Sequence, residues 1–439
     1  MNIILISPKG PLYRHRGGSF KKSLRYAPLT LTTLASLVPV NLGANVSIID
    51  EGIREIPNYL DADLIGMTVI TGSAKRAYAL AKQFRKQGIT VVLGGPHVTL
   101  LPDEAAEHAD AIVVGYAEQT WPQLLQDFHN GELQPRYNQN SDLDLTNMPF
   151  PHRHLLPKGS YITQHVFEAT RSCKHACDFC VAPIAWGRGP YQKPVGDVVA
   201  DIKHCKAKKI IFIDLNLISD RAYAMTLFEA LIALKIRWFG LSTMLISQDD
   251  ELLDMACRSG CAGLLIGFES ISSNILRASK KGFNKPAQYQ EAVRKLHECN
   301  ISVMGCFVFG LDGDTSEIFK ETADFIMDAH IDLPRFAIAT PFPATPLYHR
   351  LKKEKRILSD DWELYDGQHV VFQPNAMSVK DLQEGHEWAW RYTYRFKSIA
   401  KRLAGSRVQP LLGLTSNLGY RYYARNLHKY YTCDWFVGR

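Results

Sequence analysis

Three closely spaced cysteines carry the sharpest chemical signal in the chain. They are Cys173, Cys177 and Cys180, within Arg171-Ser172-Cys173-Lys174-His175-Ala176-Cys177-Asp178-Phe179-Cys180. Thiolates separated by three and then two residues can converge from one short loop, and such sets suit zinc or an iron–sulfur cluster. A structural zinc site wants four ligands. His175 is the nearby candidate for a fourth, but it splays awkwardly beside Cys173, and no second Cys-x2-Cys pair completes a zinc ribbon. Three thiolates on a [4Fe–4S] cube leave one iron open to a small molecule, the reading preferred over zinc or inert thiols. Cys205, Cys257, Cys261, Cys299, Cys306 and Cys433 are scattered and read as core thiols. Of these, Cys306 lies inside an apolar strand-like run and is the one to examine beside a site.

The elements around this loop read as alternating strands and helices. Short apolar runs at Ile3–Ser7, Val46–Asp50, Leu64–Val69, Val91–Gly95 and Ala111–Gly115 alternate with amphipathic stretches such as Ala74–Gln87. Continuous apolar runs mark strands covered on both faces, hence a parallel, doubly wound α/β sheet. Ligands of such sheets sit beyond the carboxyl ends of the strands. Those ends offer the hydroxyls of Thr68 and Ser73, the turn Gly94-Gly95 with Thr99 just beyond it, and the turn from Gly115 to Glu118. A stretch from Gln134 to Lys158, rich in Asn, Asp and Pro, reads as a linker. Strand-like runs then resume at Val166–Thr170, Lys209–Asp214, Arg237–Thr243, Gly263–Ser270, Ser302–Gly310 and Arg335–Thr340, with helical patterns such as Lys285–Cys299 and Ser316–Ala329 between them. Six such units predict a partial βα barrel, with its active residues at the carboxyl ends of the strands. The expected domains are 1–135, a linker over 136–160, a barrel over 161–355 and an extension over 356–439.

Composition sets the outer bounds. A chain of 439 residues with 46% hydrophobic and 22% charged residues is globular and long enough for several domains. No uninterrupted apolar run of about 18 residues occurs, so no spanning helix is expected. The N-terminus lacks the features of a secretion signal, and nine cysteines then read as thiols or ligands in the cytoplasm. The net charge of +7 is local: from Arg391 to Arg439 there are ten Lys and Arg, one acid and ten aromatic residues. Packing on the barrel is the plain reading of that tail. Contact with a membrane surface is the functional one, and nucleic acid is not the expected partner.

Taken together, these motifs resemble the radical SAM superfamily, in the branch that carries a B12-binding domain. Cys173-x3-Cys177-x2-Cys180 with Phe179 before the last cysteine looks like the family signature. Ile211 to Asn216, Leu241-Ser242-Thr243, Gly267-Phe268-Glu269-Ser270, Gly305 to Thr315 and Thr340 to Tyr348 resemble its later barrel segments. Gly94-Gly95-Pro96-His97 and Val114 to Glu118 look like the cobalamin-binding domain. Trp362-x2-Tyr365-Asp366-x2-His369-Val370 is similar to the extension of members that act on lipids such as hopanoids.

The resemblance implies an N-terminal cobalamin-type domain, a partial (β/α)6 radical SAM barrel and a small, mainly helical C-terminal extension. It implies a [4Fe–4S] cluster held by Cys173, Cys177 and Cys180, with S-adenosylmethionine on the open iron. It places Phe179 near the adenine and Asp214, Asn216, Ser242 and Glu269 on the polar groups of that cofactor. Thr68, Ser73, Gly94, Gly95, Thr99, Gly115 and Glu118 would face cobalamin. The implied reaction is methylation of an unactivated carbon of a small molecule or lipid, with an external electron donor such as flavodoxin or ferredoxin. Radical carbon–carbon bond formation, ring closure or rearrangement without methyl transfer is the alternative. A cobalamin- or metal-sensing protein is the reading from another class. Two features depart from the family pattern. No Asp-x-His-x-x-Gly run occurs, the only imidazole of the first loop being His15, and Tyr116 stands where an acid is usual. A cobalamin bound here would have its lower face open or water-bound.

Overall fold

Two six-stranded parallel sheets organise the computed structural model, which describes residues 1–10, 26–140 and 142–427. The first sheet contains β1 (Asn2–Ser7), β2 (Asn45–Asp50), β3 (Leu64–Thr68), β4 (Thr90–Gly94), β5 (Ala111–Val114) and β6 (Arg136–Asn138), in the order β2-β1-β3-β4-β5-β6. Alternate residues of β1 feed two separate cores. Ile3 and Leu5 pack with Trp121 on one face, and Ile4 and Ile6 pack with Phe84 on the other. This double burial is why the strands read as unbroken apolar runs. β6 lies within the stretch expected to be linker, so the sheet reaches past residue 135. The part of the first loop that holds His15 lies outside the described residues.

The second sheet begins with β7 (Val166–Phe167). A small antiparallel hairpin follows, β8 (Thr170–Arg171) with β9 (Tyr191–Gln192). It continues through β10 (Lys209–Phe212), β11 (Arg237–Ser242), β12 (Cys261–Glu269), β13 (Ser302–Phe309) and β14 (Leu333–Ile338), in the order β7-β10-β11-β12-β13-β14. Neighbours in sequence are neighbours in space, as in an open βα barrel. Phe268, Phe307 and Phe336 face the surrounding helices and lie in a row, the first two stacked at 5.3 Å and the third tilted at 6.2 Å from Phe307. The expected strand Val166–Thr170 is split in two. The buried Asp214 carboxylate accepts hydrogen bonds from the amides of Ala169 and Thr170, which ends the pairing and bends the chain into the cysteine loop.

The extension is helical, with helices Val379–Thr393, Phe396–Ser406 and Pro410–Arg425. It covers the free edge of β14, which would otherwise present unpaired backbone groups. The Ile338 amide donates to the Gly367 carbonyl (2.7 Å) and the Tyr394 hydroxyl donates to the Pro334 carbonyl (2.8 Å). Arg402 is fully buried and donates to the carbonyls of Ile331, Asp332 and Thr393. Part of the basic aromatic tail is therefore scaffold; residues 428–439 lie outside the described part. The extension also grips the first domain, where the Trp362 indole donates to the Glu104 carboxylate at 3.2 Å.

Candidate active site

The cysteine loop leaves the β8–β9 hairpin and faces the carboxyl ends of the barrel strands. Cys177 is buried, while Cys173 and Cys180 are half-buried, and all three are free thiols. Burial pushes the Cys177 thiol up to about 12, with Lys281 opposing the shift and Cys180, Glu269 and Cys173 adding to it. The three sulfurs and the Lys281–Glu269 ion pair (2.5 Å) thus share one electrostatic neighbourhood. Bound iron would supply the positive charge needed to hold such thiols as thiolates. His175 takes no part in the trio; its ring stacks on Phe283 at 4.0 Å. Among the described residues, no three Cys, His, Asp or Glu side chains form a site for a single metal ion. A cube differs in taking one thiolate at each of three iron corners. The donor set fits that cluster better than mononuclear zinc.

The other expected residues divide between the hollow and its supports. Asn216 faces the cluster loop: its amide nitrogen lies 3.9 Å from Cys173 Sγ, and its carbonyl oxygen is buried without a partner. Phe179 is half-buried against the barrel core. Glu269 sits at a register shift of β12 with φ +63°, a bulge that aims its carboxylate at Lys281. Asp214 and Ser242 differ from expectation. Asp214 turns to backbone amides, and burial with Glu168 nearby pushes its carboxyl up to about 7. The Ser242 hydroxyl donates to the adjacent Thr243 carbonyl.

A cavity of about 340 Å³ separates the strand ends of the first sheet from the barrel mouth. Thr68, Gly94, Gly95, Gly115 and Glu118 line it. Gly95 has φ +100°, and a Cβ there would stand 2.8 Å from the Val69 amide nitrogen, so only glycine fits this turn. Ser73 and Thr99 are supports instead of lining residues. Ser73 caps its own turn through Ile70. Thr99 accepts from the Gly115 amide (2.9 Å) and donates to the Gly95 carbonyl (3.0 Å), tying the two glycine turns together. Buried Glu118 Oε2 and Thr170 Oγ1, both on cavity-lining residues, lack hydrogen-bond partners. Unpartnered acceptors beside close-approach glycines fit a large ligand rich in amide donors, as cobalamin is.

Sequence reasoning missed two cations here. Arg171 is 7% exposed and ion-pairs with both Glu118 and Glu168, beneath the Tyr116 ring at 4.6 Å. It joins the first domain to the residue that precedes the cysteine loop. A charge interrupting an apolar strand beside Ser172-Cys173 was its available signal. Lys281, in a polar stretch after β12, had none.

A cobalamin-type sheet facing a three-thiol barrel defines a radical S-adenosylmethionine enzyme. The model of the Radical SAM superfamily matches residues 167–326, and that of the B12 binding domain matches residues 35–125. The bacteriochlorophyllide d C-12(1)-methyltransferase of Chlorobaculum tepidum is 32% identical, covering 86% of this chain and 85% of that protein. The C-8(2)-methyltransferase of the same organism is 32% identical, covering 90% and 91%. The hopanoid C-2 methylase of Rhodopseudomonas palustris is 25% identical, covering 83% and 65%. The structure of TsrM from Kitasatospora setae, a radical S-adenosylmethionine methyltransferase with cobalamin and a [4Fe–4S] cluster bound, superposes with a TM-score of 0.66 at 17% identity, covering 80% and 78%. The chain belongs to the cobalamin-dependent radical SAM methyltransferase family. Enzymes of this kind act on a small molecule and need a reductant. Among the described residues no helix is long and apolar enough to cross a membrane.

Proposed function

We propose that this enzyme methylates a side-chain carbon of a chlorin-type tetrapyrrole. The observation that carries the reading is a pair of adjoining cavities beside the cysteine loop. The cavity beneath the glycine turns meets the cysteine loop and adjoins an apolar pocket of about 250 Å³, with Ile70, Pro96 and Trp186 lining both. Phe342 and Tyr365 line the second pocket, which suits a flat apolar ring. The two Chlorobaculum relatives, named for bacteriochlorophyllide d, support the same substrate class. When bound, the cluster with S-adenosylmethionine supplies hydrogen abstraction from carbon, and cobalamin supplies a methyl carrier. Cys173, Cys177 and Cys180 hold the cluster. Phe179, Asn216 and Glu269 orient S-adenosylmethionine, and Thr68, Gly94, Gly95, Gly115 and Glu118 receive the corrin. Asp214 shapes the cluster loop from behind. The apolar walls keep water from a reactive centre. A one-electron donor such as flavodoxin or ferredoxin serves as the reductant. With methyl-labelled S-adenosylmethionine and bacteriochlorophyllide d, the expected product carries the label on carbon. A changed chlorin without label would instead favour ring closure or rearrangement.

We also propose that the helix Pro410–Arg425 rests on an anionic membrane surface. Leu411 (81% exposed), Leu414, Leu418 and Tyr422 form an exposed apolar stripe at helical spacing, and exposed Lys397, Arg407 and Arg425 lie on the same extension. Apolar side chains with nearby cations suit an interfacial helix. The full chain is expected to float with phosphatidylglycerol-containing vesicles but not with phosphatidylcholine alone, and Leu411→Asp with Leu418→Asp should release it. Equal flotation by the double variant would remove this reading.

A further inference from the structure

The barrel hollow contains a cation left unpaired by the groups described above. Arg335 lies on β14 opposite Cys306 of β13, which in turn pairs in register with Gly267 of β12. Their neighbours Phe336, Phe307 and Phe268 point outward into the helix layer, so alternation turns Arg335, Cys306 and Gly267 inward. A Cβ built on Gly267 would lie 2.9 Å from Lys281 Nζ, which identifies this inner face as the one shared with the cluster loop. Arg335 therefore stands two strands from that corner, roughly 10 Å away at ordinary strand spacing.

The other cations of the hollow are neutralised. Arg171 has Glu118 and Glu168, and Lys281 has Glu269. No carboxylate among the described residues lies within ion-pair distance of Arg335, which is an exposed residue of β14. The polar groups around it are the Cys306 thiol and the hydroxyls of Tyr420, Tyr423 and Tyr394, none of them a carboxylate. Around it the inner face is apolar, with Leu265, Met304 and Val308 at alternating positions of β12 and β13. A lone guanidinium in such a surface is suited to a bidentate carboxylate.

We propose that Arg335 anchors a free carboxylate on the substrate, so that the enzyme takes the chlorin acid and discriminates against its ester. This rests on the chlorin reading above and adds the charge that fixes which way the ring enters. The carboxylate points to Arg335 on the inner face of β14, and the ring lies toward the apolar pocket of Phe342 and Tyr365.

The test is a fluorescence titration of the anaerobically reconstituted full chain with bacteriochlorophyllide d and, separately, its methyl ester. Wild type should bind the acid at least about tenfold more tightly than the ester, the scale of a charge-assisted hydrogen bond. Arg335→Gln should bind both forms equally, and Arg335→Lys should recover part of the preference. Thermal melts confirm that each variant is folded. A preference for the acid that survives in Arg335→Gln overturns the assignment while leaving the chlorin reading intact. Loss of labelled S-adenosylmethionine binding in Arg335→Gln, with the acid preference retained, also overturns it by moving the residue to the other ligand. Binding of neither chlorin form by wild type removes the chlorin reading and this inference together.

Discussion

Cys177→Ala is expected to reduce S-adenosylmethionine cleavage to background while both sheets remain folded. Cys177 is the buried member of the trio, 8% exposed, and its amide neighbours do not depend on the sulfur: Cys180 donates to the Cys177 carbonyl at 3.1 Å. Removing one thiolate leaves two ligands for a cube that needs three, so iron is lost or bound unstably. Truncating a small thiol costs the fold about 1 kcal/mol, an ordinary core substitution. Iron content, the iron–sulfur absorption band and 5′-deoxyadenosine formation after anaerobic reconstitution measure the first effect, and a thermal melt measures the second. Cys205→Ala is the control, because that thiol packs beside Arg153 and Asp201, apart from the trio. An iron–sulfur band of wild-type intensity in Cys177→Ala would refute the ligand assignment. Zinc in the anaerobically purified wild type would refute the cluster itself.

Arg171→Met should destabilise the chain by about 3–5 kcal/mol, the usual result of removing one partner from a buried ion pair. Arg171 serves two carboxylates that are themselves largely hidden, so the variant leaves Glu118 without its cation and Glu168 with Lys193 alone (3.7 Å), in a poorly solvated place. Burial acts to discharge Arg171, and the two glutamates more than reverse this, holding its pKa above the ordinary arginine value. Because Glu118 belongs to the first domain and Glu168 to the barrel, the loss falls on the seam between them. Urea melts should show a lower midpoint. Adding Glu118→Gln to Arg171→Met should recover part of the deficit, since it removes one orphaned charge. A single variant as stable as wild type would show that solvent already reaches the pair.

Sequence was most informative where function rests on neighbours along the chain. The cysteine spacing is local, so the donor set was legible before any fold was known. The same holds for the glycine turns, where backbone conformation selects the residue, and for the apolar runs, where double burial leaves a continuous signal. Strand ends were harder to read. Asp214, Asn216, Ser242, Ser73 and Thr99 are all small polar residues after apolar runs, yet only Asn216 turns toward the cluster loop. Asp214 meets backbone amides from another strand, and Thr99 bridges two turns. A hydroxyl or carboxylate has the same letter whether it serves a ligand or the chain, and only three-dimensional proximity separates the two.

Charges show the division most plainly. Arg335 and Lys281 resemble surface cations in a linear reading, and Arg171 shows only as a charge interrupting an apolar strand. What distinguishes them is sheet closure, which turns alternate strand positions into a hollow, and pairing across long separations, such as Trp362 with Glu104 over 258 residues. The chain's letters determined which cofactors it can hold and which layers it forms, because those depend on spacing and periodicity. Tertiary structure alone decided which polar groups remain free to meet a ligand. Desolvation and ion pairing depend on what surrounds a group, and for these residues the surroundings come from distant parts of the chain.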